Sequence, residues 1–295
     1  MDMRLLVFLA LLFAIWGCQE KPPTADEFRA LAAKGLTDSV RRASMLGVKL
    51  DSTDENGFSA LSMAAYNGCK DTVEELLKLG ADPDAGPSTG RPLVLACAQS
   101  HLEIVEVLLR YGAKVEYGPQ DEQPIAVATH PKIIDLLLRA GAHVNKPSGS
   151  AGNTPLHRSA SKADVEAVRH LIARGAKVNA VNPFGTTPLH TACRTPSLLL
   201  QEDGVQRAKQ TIRVLIAAGA RVTVADMRGN TPLHLAARNA YLDAEDLQLL
   251  IEKGASLEAR DAWGRTPFVA AKVFGTDRLP GRLAVLRSQG SNQPK

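Results

Sequence analysis

Apolar residues along most of the chain recur in short clusters with helical spacing. Ile104, Val105, Leu108 and Leu109 lie at i, i+1, i+4 and i+5, which places them on one face of an α-helix. Polar residues fill the positions between them, and Gly or Pro separates one cluster from the next. The pattern predicts short amphipathic helices joined by turns.

The helical pattern is repeated along the chain. Thr-Pro-Leu-His occurs at 154–157, 187–190 and 231–234, and Thr-Pro-Phe occurs at 266–268. A second motif, Gly-Ala, follows in register at 80–81, 112–113, 141–142, 175–176, 219–220 and 254–255. Such self-similarity predicts a solenoid, because a single repeat cannot bury its own apolar faces and must stack on its neighbours.

Each part of the repeated motif has a local physical reason. Thr caps a first helix, and Pro occupies its first turn, where the missing N–H is not needed. Gly of Gly-Ala ends a second helix, since the left-handed conformation of a helix end is most easily adopted by glycine. Each repeat is therefore predicted to be two antiparallel helices followed by an extended hairpin loop.

These residues resemble the ankyrin repeat, and the resemblance covers residues 25–291. It implies an all-α ankyrin-repeat solenoid of stacked helix-turn-helix units with hairpin loops, built from an N-terminal cap and seven repeats. The fifth repeat is longer: 31 residues separate Pro188 from Gly219, against 20 between Pro155 and Gly175. We expect this insertion, at 196–209, in the turn between the two helices.

The first 18 residues have a different character. Arg4 precedes an unbroken apolar run at 5–16, which Gly17 and Cys18 follow. The run is well short of the roughly 20 residues that span a bilayer as a helix, and it is typical of a secretory signal. Residues 15–18 resemble the lipobox of bacterial lipoproteins, which implies that Cys18 is acylated and becomes the N-terminus after cleavage.

Taken together, the signal and the repeats resemble bacterial periplasmic ankyrin-repeat lipoproteins. The implied boundaries are a signal peptide at 1–18, a linker at 19–24, the repeat domain at 25–291 and a tail at 292–295. In the Gram-negative sorting pattern, Gln19 after the cysteine implies the outer membrane. We therefore expect the periplasmic side of a bacterial cell envelope, with lipid at Cys18 as the membrane anchor. A soluble periplasmic protein and an uncleaved anchor are the alternatives.

Composition and charge add little to this picture. The net charge of +4, from 35 basic and 31 acidic residues, is too small to indicate nucleic acid unless it is clustered, and an exported protein makes nucleic acid still less expected. Aromatic residues make up 4% of the chain, which favours thin helical layers over a deep aromatic core.

Three sets of residues suggest chemistry, and each has a structural interpretation that we prefer. His157, His190 and His234 form a ladder, but the resemblance implies that they hydrogen-bond neighbouring loops, and successive repeats hold the rings too far apart to share a metal. Ser88 lies in a Gly-x-Ser-x-Gly match without the strand that a nucleophile elbow needs. The cysteines that follow Cys18 are expected to be buried thiols; they are Cys69, Cys97 and Cys193. No catalytic residue, metal or cofactor is predicted.

Ankyrin proteins usually bind partners through hairpin tips and first helices, which together form a concave strip. In the C-terminal half these positions are Phe184, Arg194, Met227, Arg228, Arg238, Trp263, Arg265 and Lys272. We call these eight residues the predicted strip. They combine arginine with large apolar side chains, the residue types enriched in protein interfaces. The insertion, with Leu198–Leu200, is a second candidate contact.

The sequence therefore predicts a non-enzymatic module that binds a periplasmic or envelope protein. The partner is expected to carry an acidic, partly apolar patch, because complementary charge would steer it to the strip. One alternative is an immunity-type neutraliser of a secreted toxin enzyme, and another is a structural envelope protein without a specific ligand. An enzyme would need titratable groups that converge on the strip, and Asp, Glu and His are not concentrated there.

Overall fold

The computed structural model describes residues 21–118, 120–194, 202–276 and 285. Within them lie fifteen α-helices and one isolated antiparallel bridge, between Ser148 and Asn153, so the predicted all-α class is confirmed. No helix in these ranges is long and apolar enough to cross a bilayer. Cys18, the predicted signal peptide and Leu198–Leu200 lie outside the described residues.

The chain divides into two compact units, Met1–Pro92 and Leu93–Lys295. The first contains α1 (Ala25–Ala33), α2 (Thr37–Met45), α3 (Ala60–Tyr66) and α4 (Lys70–Lys78). In it α1 packs on α3 and α2 on α4, so that first helices meet first helices and second helices meet second helices. Its fully buried side chains include Phe28, Leu61 and Leu76.

The helices from the unit boundary onward continue the alternation of first and second helices. They are α5 (Pro92–Ala98), α6 (Leu102–Arg110), α7 (Pro124–Val127), α8 (Pro131–Arg139), α9 (Pro155–Ser161), α10 (Val165–Ala173), α11 (Pro188–Arg194), α12 (Glu202–Ala217), α13 (Pro232–Arg238), α14 (Ala244–Glu252) and α15 (Pro267–Val273). The first helices α7, α9, α11, α13 and α15 pack in one row, and the second helices α6, α8, α10 and α12 pack in another. Leucine, isoleucine, valine and alanine fill the layers between successive repeats.

The ends of the second helices follow the predicted glycine chemistry. Gly175 has φ 88°, and its N–H donates to the carbonyl of Ile172 at 3.0 Å. The N–H of Ala176 reaches back to the carbonyl of Leu171 at 2.9 Å. A side chain at Gly175 would be strained at this φ, which explains why glycine stands there.

The insertion in the fifth repeat differs from the prediction. Residues 202–209 do not form a turn but begin the second helix α12, which has 16 residues where α10 and α14 have nine. The buried stripe of Leu215 and Ile212 continues back to Ala208 at helical spacing. The added residues amount to about two helical turns, and they extend the buried apolar stripe of α12 through Ala208.

Candidate protein-binding groove

Three hairpin loops precede α11, α13 and α15, and each is closed by the side chain of its first residue. We call the loops 182–186, 226–230 and 261–265 the fingers. In the second finger, Asp226 Oδ1 accepts hydrogen bonds from the N–H groups of Arg228 and Asn230, both at 2.8 Å. Asn182 and Asp261 close the other two fingers in the same way. The loops are therefore rigid supports for the side chains at their tips.

The fingers also bind one another through their backbones. The N–H of Met227 donates to the carbonyl of Phe184 at 3.0 Å, and the N–H of Ala262 donates to the carbonyl of Arg228 at 2.8 Å. A Cβ atom at Gly229 would lie 2.9 Å from the Ala262 nitrogen, so this close approach requires glycine. The tips nevertheless remain open to solvent: Phe184, Met227 and Trp263 are 55%, 75% and 60% exposed.

The histidine ladder ties each first helix to the following finger. His157 Nε2 lies 2.9 Å from the carbonyl oxygen of Thr186, and because a carbonyl only accepts, Nε2 carries the hydrogen. Nδ1 is then free to accept from Thr154 Oγ1 at 2.8 Å. His190 and His234 repeat this arrangement, with Nε2 donating to the carbonyls of Asn230 and Arg265.

The ladder histidines are held in the neutral form. Burial lowers the pKa of His157, although the hydrogen bond to the Thr186 carbonyl acts in the opposite direction. Burial likewise lowers the pKa of His190 and His234. No cluster of three potential metal ligands exists in the part of the chain that the structure describes. The bonds show a structural role for these rings.

Five members of the predicted strip line a single groove in the C-terminal unit. Phe184, Arg194, Met227, Arg228 and Arg238 surround a space of about 350 Å³ beside the fingers and first helices of the fifth and sixth repeats. Finger and helix residues complete the lining, among them Asn182, His190, Thr191, Asn230 and Leu235. We call this space the arginine groove.

The arginine groove carries net positive charge, because its lining contains three arginines and one carboxylate. Arg194 and Arg228 are exposed, and neither makes an ion pair with any described residue. The one carboxylate in the lining, Asp226, is occupied by N–H groups of its own finger. Arg238 stacks over the ring of Phe274 at 3.9 Å. Burial, followed by the nearby charge of Arg265, lowers the pKa of Arg238.

The other three strip residues do not line the arginine groove. Arg265 donates from Nε to Asp261 Oδ2 at 2.8 Å and stacks over Trp263 at 4.5 Å, so its charge is balanced within its own finger. Lys272 is exposed on α15. Trp263 is an exposed apolar side chain at the tip of the third finger, and the Arg265 guanidinium stacks on its ring.

Phe274 contacts the groove residue Arg238, and the sequence did not predict this role. It is 49% exposed, and its ring supports the Arg238 guanidinium. Its position directly after α15 was the available signal, because a large aromatic residue at the end of a helix can cover the neighbouring first helix.

The remaining candidates for chemistry do not line the groove. Ser88 is in a turn rather than on a strand-to-helix elbow, so the geometry of a hydrolase nucleophile is not formed there. Cys69, Cys97 and Cys193 are free thiols. Burial raises the pKa of each of them, so none is an activated thiolate.

The fold and the repeated motif match a known family. Residues 28–118 and 125–206 match the family model described as "Ankyrin repeats (3 copies)", and residues 228–262 match the model described as "Ankyrin repeat". Because these matches cover more than half of its length, the chain belongs to the ankyrin-repeat family.

Individual proteins are similar over parts of the chain. Rabankyrin-5 from Homo sapiens is 43% identical over 58 residues, 20% of this chain and 5% of that protein. Ankyrin repeat and SOCS box protein 16 from Homo sapiens is 32% identical over 137 residues, 45% of this chain and 30% of that protein. The chain thus spans less than a third of the length of either. Cyclin-dependent kinase 4 inhibitor B from Homo sapiens is 33% identical over 141 residues, 46% of this chain and 90% of that protein.

A solved structure matches most of the chain. The crystal structure of the human ASB11 ankyrin repeat domain has a TM-score of 0.53 and 23% identity, and the match covers 91% of this chain and 99% of that one. This likeness confirms the ankyrin-repeat solenoid. The relatives named here are human proteins, so the resemblance to bacterial periplasmic lipoproteins stays a prediction.

Proposed function

We propose that this chain is a non-enzymatic interaction protein, exported and lipid-anchored at Cys18 on the periplasmic side of a bacterial envelope. It binds a periplasmic or envelope protein through the arginine groove and the adjoining finger tips. Membership of the ankyrin-repeat family indicates a protein–protein interaction module. The apolar run at 5–16 and the lipobox-like residues 15–18 support the location.

The observation that carries the binding proposal is the convergence of five strip residues on one groove. Arg194, Arg228 and Arg238 supply positive charge, while Phe184 and Met227 supply apolar surface at the rim. Arginine and aromatic side chains in such a pocket are typical of the centre of a protein interface. A partner with an acidic, partly apolar patch complements this surface.

A capture experiment with a matched control tests the proposal. The full chain, purified in mild detergent, is used to capture proteins from an envelope extract beside a groove variant carrying Met227→Ala and Arg228→Glu. The control carries Met45→Ala and Arg42→Glu, the same changes at exposed positions in the other compact unit. We expect one saturable partner, identified by mass spectrometry, that the control retains and the groove variant loses.

The other outcomes also decide the question. If the groove variant retains the partner while circular dichroism shows both variants folded, the binding site lies elsewhere and the proposal for the groove fails. If no protein binds saturably, the alternative of a structural envelope protein without a specific ligand takes its place.

A further inference from the structure

The arginine groove has a repeat geometry that defines its ligand more narrowly. Arg194 and Arg238 occupy the same position in successive repeats, each at the last residue of a first helix, α11 or α13. These helices pack directly on each other. Axes of packed helices lie about 8–10 Å apart, so the backbones of the two arginines are about one repeat spacing apart. Two carboxylates at that spacing can therefore pair with one arginine each.

The arginine groove has room for only a short segment of a partner protein. Its volume of about 350 Å³ is at the lower end of the range for pockets that enclose ligands. Leu235, which is 8% exposed, lies in its lining, whereas Phe184 and Met227 stand exposed at its rim. A space of this size and character fits a short extended segment with an apolar side chain between its charges.

The spacing of the charges sets the spacing on the ligand. An extended or polyproline II chain advances about 3.1–3.4 Å per residue, so about three residues span one repeat. In polyproline II, residues i and i+3 also point in the same direction, because this helix has three residues per turn. Two acidic side chains three residues apart therefore match the two arginines.

We infer that the arginine groove binds an extended acidic segment of the partner protein, with two carboxylates at i and i+3 and an apolar residue between them. One carboxylate pairs with Arg194 and the other with Arg238, and Arg228 adds positive charge from the finger. The apolar residue contacts Phe184 and Met227. This inference rests on the proposed binding function and specifies what the groove recognises.

The probe is a fluorescein-labelled proline-rich peptide with the core Glu-Pro-Leu-Glu, compared with the same peptide carrying Gln-Pro-Leu-Gln. Fluorescence anisotropy with the full chain in detergent at low salt measures both affinities. We expect the Glu peptide to bind about tenfold more tightly, because arginine–carboxylate pairs are charge-assisted. A third peptide with the two glutamates adjacent is expected to bind several-fold more weakly than the first.

Variants of the protein test the assigned pairs. Arg194→Gln with Arg238→Gln is expected to remove the preference for the Glu peptide, and Arg194→Gln alone, at an exposed position, is expected to reduce it. Arg221→Gln is the control, since Arg221 is also exposed but does not line the groove. We expect it to leave both affinities within about twofold, because a remote exposed charge is screened by solvent.

Several results would overturn the inference. Equal binding of the Glu and Gln peptides, or an unchanged preference in the folded double variant, excludes carboxylate recognition by these arginines. A single-stranded oligonucleotide that binds as tightly as the Glu peptide and is lost in the double variant assigns the groove to phosphates instead. If envelope capture depends on Met227 and Arg228 but the Glu peptide does not bind, the proposed function stands and the acidic segment is wrong.

Discussion

The ladder histidines show how one residue type stabilises a repeat stack. Each ring is fully buried, and its two nitrogens link the cap of one helix to the carbonyl of the next finger. In the first repeat Ser62 occupies the same place and donates from Oγ to the carbonyl of Gly90 at 2.5 Å. A hydrogen bond to the next loop is thus the property that this position requires, and histidine is one way to supply it.

Removing a ladder histidine should therefore destabilise the protein. His157→Ala removes the hydrogen bonds of the ring to Thr154 Oγ1 and to the Thr186 carbonyl and opens a cavity, so we expect a loss of about 2–4 kcal/mol in the free energy of unfolding. Urea denaturation followed by circular dichroism measures it. His143→Ala is the control, because its side chain is 77% exposed and an exposed pair contributes less than about 1 kcal/mol. Equal losses in the two variants would contradict the structural role.

The same histidines should make stability depend on pH. The pKa values of these histidines are lower in the folded state than in the unfolded state. Below about pH 6.5 the unfolded chain therefore binds more protons than the folded chain. Their contribution is complete above that pH and is lost as the pH falls, by up to about 1.4 kcal/mol per pH unit for each ring. In His157→Gln, the free energy of unfolding should depend less steeply on pH, because one of the three titrating rings is absent. Leu171→Ala, which removes no titratable group, should keep it in full, and two parallel curves for wild type and His157→Gln would refute the assignment.

The longest of the described helices, α12, stabilises the start of the next second helix, α14. Lys209, in the inserted part of α12, forms ion pairs with Asp243 and Asp246, the two residues that cap α14. The Asp246 side chain is only 1% exposed. Burial alone would raise the pKa of Asp243, but the hydrogen bonds from Lys209 and from Asp246, together with the charge of Lys209, outweigh it and lower the pKa to about 2. The insertion therefore supplies the cation that a buried carboxylate needs.

Replacing this cation should weaken the start of α14 first. Lys209→Met leaves Asp246 buried without its nearest cation, and we expect a loss of about 2–4 kcal/mol, less than for a fully buried pair because Asp243 is half exposed. Hydrogen exchange should show reduced protection of the Asp246 and Leu247 amides. Lys253→Met, at the exposed end of the same helix, is expected to cost less than about 1 kcal/mol. Unchanged protection in Lys209→Met would mean that Arg213 alone balances Asp246.

The insertion also marks a limit of sequence reasoning about elements. The distance from Pro188 to Gly219 places the extra residues in the fifth repeat but does not show where in the repeat they lie, and the predicted turn is a helix in the structure. The apolar positions Ala208, Ile212 and Leu215 already carried the helical spacing that the structure shows. Helix boundaries elsewhere were easier to predict, because Thr-Pro and Gly-Ala act through local backbone chemistry.

For the whole molecule, the sequence could predict the class of fold and much of the groove. Repeated motifs place residues in equivalent positions, so Phe184 and Met227 could be assigned to finger tips and Arg194 to a helix end. What repetition could not show is which charges are already balanced. Arg265 looks equivalent to a free arginine in the sequence, yet Asp261 holds its guanidinium. Such pairing depends on side-chain rotamers, which the repeat pattern does not specify.

The position of the whole molecule in the cell depends on the N-terminal segment. If Cys18 is acylated, several chains together should hold the protein on the membrane, since each buried CH2 contributes about 0.8 kcal/mol. We expect wild type expressed in a Gram-negative host to fractionate with the outer membrane, to incorporate labelled palmitate and to begin at a modified Cys18 by mass spectrometry. Cys18→Ser should lose the label and the modified terminus.

Gln19→Asp is the matched test of sorting, because it keeps Cys18 and should move the labelled protein to the inner membrane. Wild type recovered in the soluble periplasmic fraction without label would contradict the lipid anchor and leave an ordinary cleaved signal. The residues that line the arginine groove all lie between 151 and 238, so we expect peptide binding by Cys18→Ser to equal that of wild type. A loss of binding in that variant would instead tie recognition to the membrane.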